Sequence, residues 1–332
     1  MEKQGIAKRK CSHLELSQLT ESQMNFDSFS GVKLPYCALP RIKLDEIDTG
    51  TELLGKKLNQ PLIIASMTGG VAEAKTINAN LAKAAQKTKV ALGVGSQRIA
   101  VEDEKTADSF KIVRRLAPDA VIFSNMAAVQ LNYGYDVDDY RRAVDQVAAD
   151  ALYLHLNPLQ EALQLEGNTD FSDLLPKIEN LVSQIGVPVY VKEVGHGISS
   201  LVAKALENVG VAGIDVAGTG GTSWSWIEAT NNDRAELAAW FKNFGYTTAE
   251  SLRQIKPAIK NTALVASGGI RNPIQALKSR LLGADYYSAA RPFLTPALQS
   301  YEEVVKTINL WQQGLKIAMF CINAQDWKSV GY

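Results

Sequence analysis

Eight short apolar runs divide this chain at regular intervals, and their alternation with helical patterns limits the folds open to it. The runs are PLIIASM (61–67), ALGVGS (91–96), AVIFSNM (120–126), ALYLHL (151–156), PVYVKEV (188–194), GIDVAGT (213–219), ALVASGG (263–269) and ADYYSAA (284–290). Each is short, continuous and bounded by Gly, Pro or Asp, as a strand buried on both faces would be. Between them lie segments such as TINANLAKAAQKT, DVDDYRRAVDQVAAD and SLVAKALENVG, whose apolar residues recur at helical spacing. Eight β–α units in strict alternation predict an α/β fold of the (β/α)8 TIM-barrel type. An open doubly wound sheet is the alternative, and the count of eight disfavours it. Residues 1–60 precede the first run and read as an N-terminal extension packed on a barrel spanning 61–332. Residues 221–245, with Trp224, Trp226 and Trp240, read as a lid or an interface loop.

The chain has 332 residues, a size that single α/β barrels often reach. Its 35 basic and 35 acidic residues balance, so no electrostatic footprint for nucleic acid or an acidic membrane surface is expected. No apolar run approaches the roughly 18 residues of a membrane span, and no secretory signal is expected. Cys11, Cys37 and Cys321 are scattered and odd in number, which points to a reducing cytoplasm rather than a disulfide framework.

In a barrel of this kind the active site forms at the C-terminal ends of the strands. Those ends are polar almost everywhere: Ser66-Met67-Thr68, Ser96-Gln97-Arg98, Ser124-Asn125, His155 and Asn157, Lys192, Asp215, Ser267-Gly268-Gly269, and Ala289-Ala290-Arg291. SGGIRN after the seventh run and SAARP after the eighth suit a phosphate, because glycines let backbone N–H groups approach it. Lys192, in VPVYVKEVGHG, is flanked by Val189 and Val191. A lysine there costs several kcal/mol to desolvate unless an anion sits beside it. Pyridoxal phosphate, FMN and an ion pair with a core carboxylate such as Asp215 are the candidate partners. Small polar groups on the first three strands (Ser66, Thr68, Ser96, Asn125) suit the edge of a broad planar ring and favour FMN, with Lys192 stabilising the negative charge of the reduced flavin.

Beyond these features, the chain resembles the flavin-dependent type 2 isopentenyl-diphosphate isomerases. The resemblance runs along nearly the whole chain: RKCSHL (9–14), SMTGG (66–70), GVGSQR (93–98), SNMAAVQL (124–131), LHLNPLQEALQLEGNTDF (154–171), VKEVGHGIS (191–199), GGTSW (220–224), SGGIRN (267–272) and AARPFL (289–294). HLNPLQE followed by EGNTDF is the most specific of these. The resemblance implies interconversion of isopentenyl and dimethylallyl diphosphate by a 1,3-allylic proton shift without net redox turnover. It implies FMN, Mg2+ and NADPH as flavin reductant, and a homo-tetramer or homo-octamer. Ser66, Met67, Thr68, Ser96, Asn125, Lys192, Thr222, Gly268, Gly269, Ile270, Arg271, Ala289 and Ala290 would hold FMN. Arg9 and Lys10 would clamp the substrate diphosphate, with His13, Arg98, His155 and Asn157 in the same pocket. Gln160 would sit beside the allylic portion of the substrate, and Glu161 would ligate magnesium. Ala217 departs from members that carry serine there.

This reading agrees with the residue chemistry. A diphosphate needs several cationic partners, and Arg, Lys, His and a metal ion provide them. No ordinary acid–base pair is evident at the strand ends, which leaves the reduced flavin as proton shuttle, with Lys192 and Gln160 as the catalytic side chains. Gln160 cannot titrate, so it orients or hydrogen-bonds. His196 is open between core and site, and Glu166 reads as support for the EGNTDF loop. An FMN-dependent α-hydroxy-acid oxidase or dehydrogenase is the rival function. That chemistry wants a histidine near the end of the seventh strand, where VASGGIRN has none. A purine-nucleotide dehydrogenase would need a cysteine on a middle loop, and a binding barrel without turnover would leave Gln160, Glu161, Arg9 and Lys10 without a purpose.

Overall fold

The computed structural model describes residues 12, 13, 15–232 and 234–331. Its centre is a closed barrel of eight parallel strands, β3 (Leu62–Ile64), β4 (Ala91–Gly93), β5 (Ile122–Ala127), β6 (Ala151–His155), β7 (Val189–Lys192), β8 (Gly213–Asp215), β9 (Ala263–Ala266) and β10 (Tyr286–Ala289). Each strand pairs with its neighbour in sequence, and β10 closes on β3. All eight expected strands are present, ringed by helices, so the chain folds as a (β/α)8 TIM barrel.

The two-residue period of the strands separates two cores. Leu62, Ile64, Ile122, Leu152, Leu154, Val189, Val191, Ile214 and Leu264 face outward and join the helices in one large cluster. Ile63, Phe123, Tyr153, Tyr190 and Val265 face inward and form a second cluster. Phe123 stacks on Tyr153 at 4.4 Å and meets Tyr190 edge-on at 5.1 Å, which plugs the barrel interior. Gly213 makes room for that plug, since a Cβ there would lie 2.1 Å from the Tyr190 ring. One further inward step along the strands brings Asn125, His155, Lys192, Asp215 and Ser267 above the aromatic layer. The same alternation that fills the barrel therefore aims its polar residues at the mouth.

The sequence reading did not foresee a hairpin of β1 (Thr51–Leu53) and β2 (Lys56–Leu58). Its Leu53 and Leu58 join the inner cluster and cover the N-terminal end of the barrel. Upstream, residues 18–29 lie across the opposite, C-terminal end. Met24 N–H donates to the Gly221 carbonyl at 2.9 Å and Ser223 N–H to the Ser22 carbonyl at 2.8 Å. Arg271 donates to the carbonyls of Met24 and Gly220 at 2.8 and 2.7 Å, fastening this segment to the barrel.

Residues 221–245 are corrected from a loop to a pair of helices, Trp224–Asn231 and Ala235–Phe241, packed on one another. Ser223 caps the first by accepting the Trp226 N–H. Leu163, Ala229 and Ala238 form a small apolar cluster that binds this pair to the helix Pro158–Leu163. Among the described residues no helix is long and apolar enough to cross a membrane.

Candidate active site

The C-terminal mouth of the barrel holds a cavity of about 810 Å³, lined by the C-terminal ends of the barrel strands or the loops that directly follow them. That volume lies in the range of about 300–1,000 Å³ usual for cofactor and small-molecule sites. Ser66, Met67, Thr68, Ser96, Arg98, Asn125, His155, Asn157, Gln160, Glu161, Lys192, Thr222, Gly268, Gly269, Ile270, Arg271, Ala289, Ala290 and His13 all line it. Arg9 and Lys10 lie outside the described residues.

At the base of the cavity, Lys192 is paired in register with Asp215 on the neighbouring strand. The lysine makes no ion pair with it. Lys192 Nζ donates to the Glu193 carbonyl at 2.7 Å, and Asp215 accepts from the Ser267 hydroxyl and from the Ala217 N–H. Burial holds the Lys192 ammonium below the usual lysine range, against the pull of Asp215 and Glu193. Burial likewise raises the carboxyls of Asp215 and Glu193 above theirs. The Glu193 carboxylate accepts the backbone N–H groups of Val194, Gly195 and His196, fixing the turn that follows Lys192. The ion-pair alternative for Lys192 is thus set aside, and the ammonium lines the cavity with one backbone acceptor.

His155 is neutral. Burial, and then the charge of Lys192, lower its pKa to about 3. Its tautomer follows from its neighbours. Asn125 Nδ2 donates to the Val94 carbonyl at 3.1 Å, which turns Oδ1 toward His155 Nδ1, 2.9 Å away. Nδ1 therefore carries the proton, and Nε2 has a lone pair.

One wall is a chain of amides and carboxylates carried by the HLNPLQE and EGNTDF segments. Glu161 is buried, with Oε1 accepting from Asn157 Nδ2 at 2.8 Å and Oε2 from the Asn168 N–H at 2.7 Å. Asn168 Oδ1 accepts from Arg98 Nη1 and from Gln130 Nε2, both at 3.1 Å. Arg98 is anchored on its other side by Glu102 at 2.7 Å. Gln160 donates to Glu228 at 2.8 Å, and His13 Nε2 lies 3.0 Å from the same carboxylate oxygen. Glu228, fully buried on the first helix of the 224–241 pair, was not foreseen, nor were Gln130 and Asn168. Gln130 and Asn168 sit inside two of the quoted motifs, but only the tertiary fold links them to Arg98 and Glu161.

The opposite wall is a glycine cradle. Gly268 and Gly269 adopt φ of +92° and +74°, and a Cβ on Gly268 would fall 1.9 Å from the Gly218 carbonyl oxygen. Only glycine fits there. Beyond it the helix Arg291–Gln299 begins at Ala290, with its N-terminus at the cavity wall. The Ser66 Oγ is buried without a partner at the rim of the cavity. A glycine-walled anion seat, an unpartnered hydroxyl and an ammonium at the base fit a phosphorylated flavin. Within the expected FMN set, further side chains besides Asn125 and Lys192 have protein partners. Arg271 spends its guanidinium on the backbone of the N-terminal segment, and the Thr222 hydroxyl accepts from Gln23 at 2.9 Å. Both residues still line the cavity.

Among the described residues no group of three or more His, Cys, Asp or Glu side chains could hold a metal ion. Glu161, flanked by amides, fits magnesium, which needs one or two carboxylates and keeps several waters. His196 does not line the cavity; its Nδ1 donates to the Phe244 carbonyl at 2.8 Å. Glu166 is exposed. Trp224 lines the cavity and meets His13 edge-on, whereas Trp240 is 70% exposed. Ala217 also lines the wall, contributing no side-chain hydrogen bond.

A family model described as "FMN-dependent dehydrogenase" matches residues 138–331. The chain is 45% identical to the isopentenyl-diphosphate delta-isomerase of Synechococcus sp., over 98% of this chain and 95% of the relative. It is 44% identical to that of Stutzerimonas stutzeri, over 98% and 96%. Among solved structures, a lactate oxidase from Pediococcus acidilactici superposes with a TM-score of 0.70 at 15% identity, over 99% of this chain and 92% of that one. A flavocytochrome b2 superposes at 0.71 and 14%, over 99% and 84%. These two likenesses speak for the fold alone. Identity above two-fifths along the whole length, together with the flavin-barrel architecture, decides the matter: the chain belongs to the FMN-dependent, type 2 family of isopentenyl-diphosphate delta-isomerases.

Proposed function

We propose that this enzyme interconverts isopentenyl and dimethylallyl diphosphate in one cavity that seats two anions. The observation that carries this reading is the division of the cavity into two walls. The glycine cradle at β9 and β10 suits the flavin phosphate. The wall across from it joins Arg98 to Glu161 through Asn168, which suits a diphosphate with its magnesium ion. Arg9 and Lys10, shortly upstream of His13, would complete the diphosphate clamp.

The chain's own residues have separable tasks. Lys192 puts a positive charge at the base of the cavity, where it would stabilise an anionic ring edge. Reduced FMN, when bound, supplies acid–base chemistry at N5 for the allylic shift, and NADPH would keep it reduced. Gln160, held by Glu228, presents an oriented amide that does not titrate. His155, neutral through Nδ1–H, offers Nε2 as an acceptor, and an adjacent diphosphate would raise its proton affinity. Glu161 would hold Mg2+ with both carboxylate oxygens fixed from behind. The helix pair 224–241 covers this wall and would exclude water.

We take the assembly as a homo-tetramer or homo-octamer, as the family resemblance implies. The half-buried free thiols of Cys37 and Cys321 suit a reducing cytoplasm. Anaerobic turnover of isopentenyl diphosphate that depends on FMN, reductant and magnesium tests the whole reading. A hydroxy-acid oxidase is disfavoured because the loop that follows β9, Ser267-Gly268-Gly269-Ile270-Arg271, carries no histidine.

A further inference from the structure

Two amide oxygens in the wall around Glu161 are buried and without a partner, Gln130 Oε1 and Asn157 Oδ1. Both residues line the cavity, and their exposures are 1% and 3%. Neither amide can be turned to hide the oxygen. Arg98 has only donors, so the Asn168 atom 3.1 Å from its Nη1 is an oxygen. The Gln130 atom bonded to that oxygen must then be Nε2, which leaves Oε1 as the free end. An ionised Glu161 only accepts, so its Asn157 partner is Nδ2, and Oδ1 is likewise free. The two amides are tied to Glu161 through their nitrogens, Asn157 directly and Gln130 through Asn168, whose N–H holds the other carboxylate oxygen, so both free oxygens belong to the cavity wall that carries Glu161.

Buried acceptors call for a ligand that presents donors. A diphosphate presents oxygens and cannot serve them. A magnesium ion keeps several waters, whose O–H groups point outward as donors. We propose that Gln130 and Asn157 accept hydrogen bonds from the water shell of a divalent cation on Glu161, and so set the position of that ion. The proposal rests on the reading of Glu161 as the metal ligand.

The test is Mn2+ titration of the FMN-loaded protein with inorganic diphosphate present, read by the electron paramagnetic resonance signal of free Mn2+. Gln130→Met removes both ends of the amide and should weaken Mn2+ binding about 10-fold, within the range known for groups behind a metal ligand. Gln130→Glu keeps an acceptor oxygen but loses the donor to Asn168, and should bind Mn2+ at least as tightly as the native protein. A purely structural role through Asn168 would weaken both variants alike, and that result overturns the proposal. Native Mn2+ affinity in Gln130→Met, or a loss of FMN affinity in its place, also overturns it, while Glu161→Gln still loses the ion. Native affinity in Glu161→Gln would instead remove the reading of Glu161 and this proposal with it.

Discussion

Lys192 and Asp215 sit side by side in register on β7 and β8, yet their charged ends do not meet: Lys192 Nζ binds the Glu193 carbonyl, and Asp215 binds Ser267 and the Ala217 N–H. Removing one partner of a true buried ion pair costs about 3–5 kcal/mol. Lys192→Met should therefore change the stability of the flavin-free chain by no more than about 1 kcal/mol, because the lysine has only one backbone partner to lose. Its isomerase turnover should fall at least about 100-fold, as when one electrostatic stabiliser is lost. Urea unfolding and a steady-state assay check both. A destabilisation of several kcal/mol would mean that the two charges are paired.

Gln160 owes its orientation to Glu228, which accepts its amide hydrogen at 2.8 Å. Glu228→Ala should lower kcat by about 10- to 100-fold, the size expected when a reacting group is misplaced by an ångström or so. FMN affinity should stay native, since no element of the glycine cradle is touched. Flavin titration beside steady-state kinetics separates the two effects.

The barrel was legible in the sequence because strand-length apolar runs with glycine boundaries carry their signal locally. The polar strand ends were legible for the same reason, as each follows an apolar run directly. The hairpin 51–58 was not, because TELLGKKL mixes charge and leucine and becomes apolar only by covering the barrel floor. Glu228 was hidden in WSWIEATNN, where nothing local distinguishes a buried carboxylate from a solvated one. Its partners Gln160 and His13 are 68 and 215 residues away in the chain, from the numbering alone. Arg271 was expected at the flavin and lines the cavity; that its guanidinium also fastens residues 24–26 was not legible, because that segment has no strand or helix pattern to place it.

His155 gives a pH signature. Its pKa is held at about 3 in the folded chain against an ordinary 6.5. Below pH 6.5 the unfolded chain binds this proton and the folded chain does not. The stability contribution is thus complete above pH 6.5 and is lost as the pH falls through the window down to about 3. The slope is roughly 1.4 kcal/mol per pH unit. Urea unfolding of the flavin-free chain at several pH values should show His155→Gln shallower than native by that slope. Parallel curves would contradict a buried neutral histidine.

Arg271 ties the N-terminal segment to the mouth through the carbonyls of Met24, Phe26 and Gly220. Arg271→Ala should cost about 2–3 kcal/mol, the range for hydrogen bonds from a charged donor. It should also speed proteolytic cleavage around residues 24–29 well before the barrel is cut. Timed digestion followed by mass spectrometry reads this. Unchanged cleavage would mean that other contacts hold the segment.

The central claim is that one cavity seats a reduced flavin beside a magnesium-bound diphosphate and shifts its double bond. It is tested most directly by incubating the purified protein anaerobically with FMN, NADPH, Mg2+ and isopentenyl diphosphate, and following dimethylallyl diphosphate by NMR. The account predicts product in the complete mixture and none when magnesium or reductant is withheld, with no net consumption of NADPH per turnover. A flavin-loaded, reducible protein that forms no dimethylallyl diphosphate would contradict it.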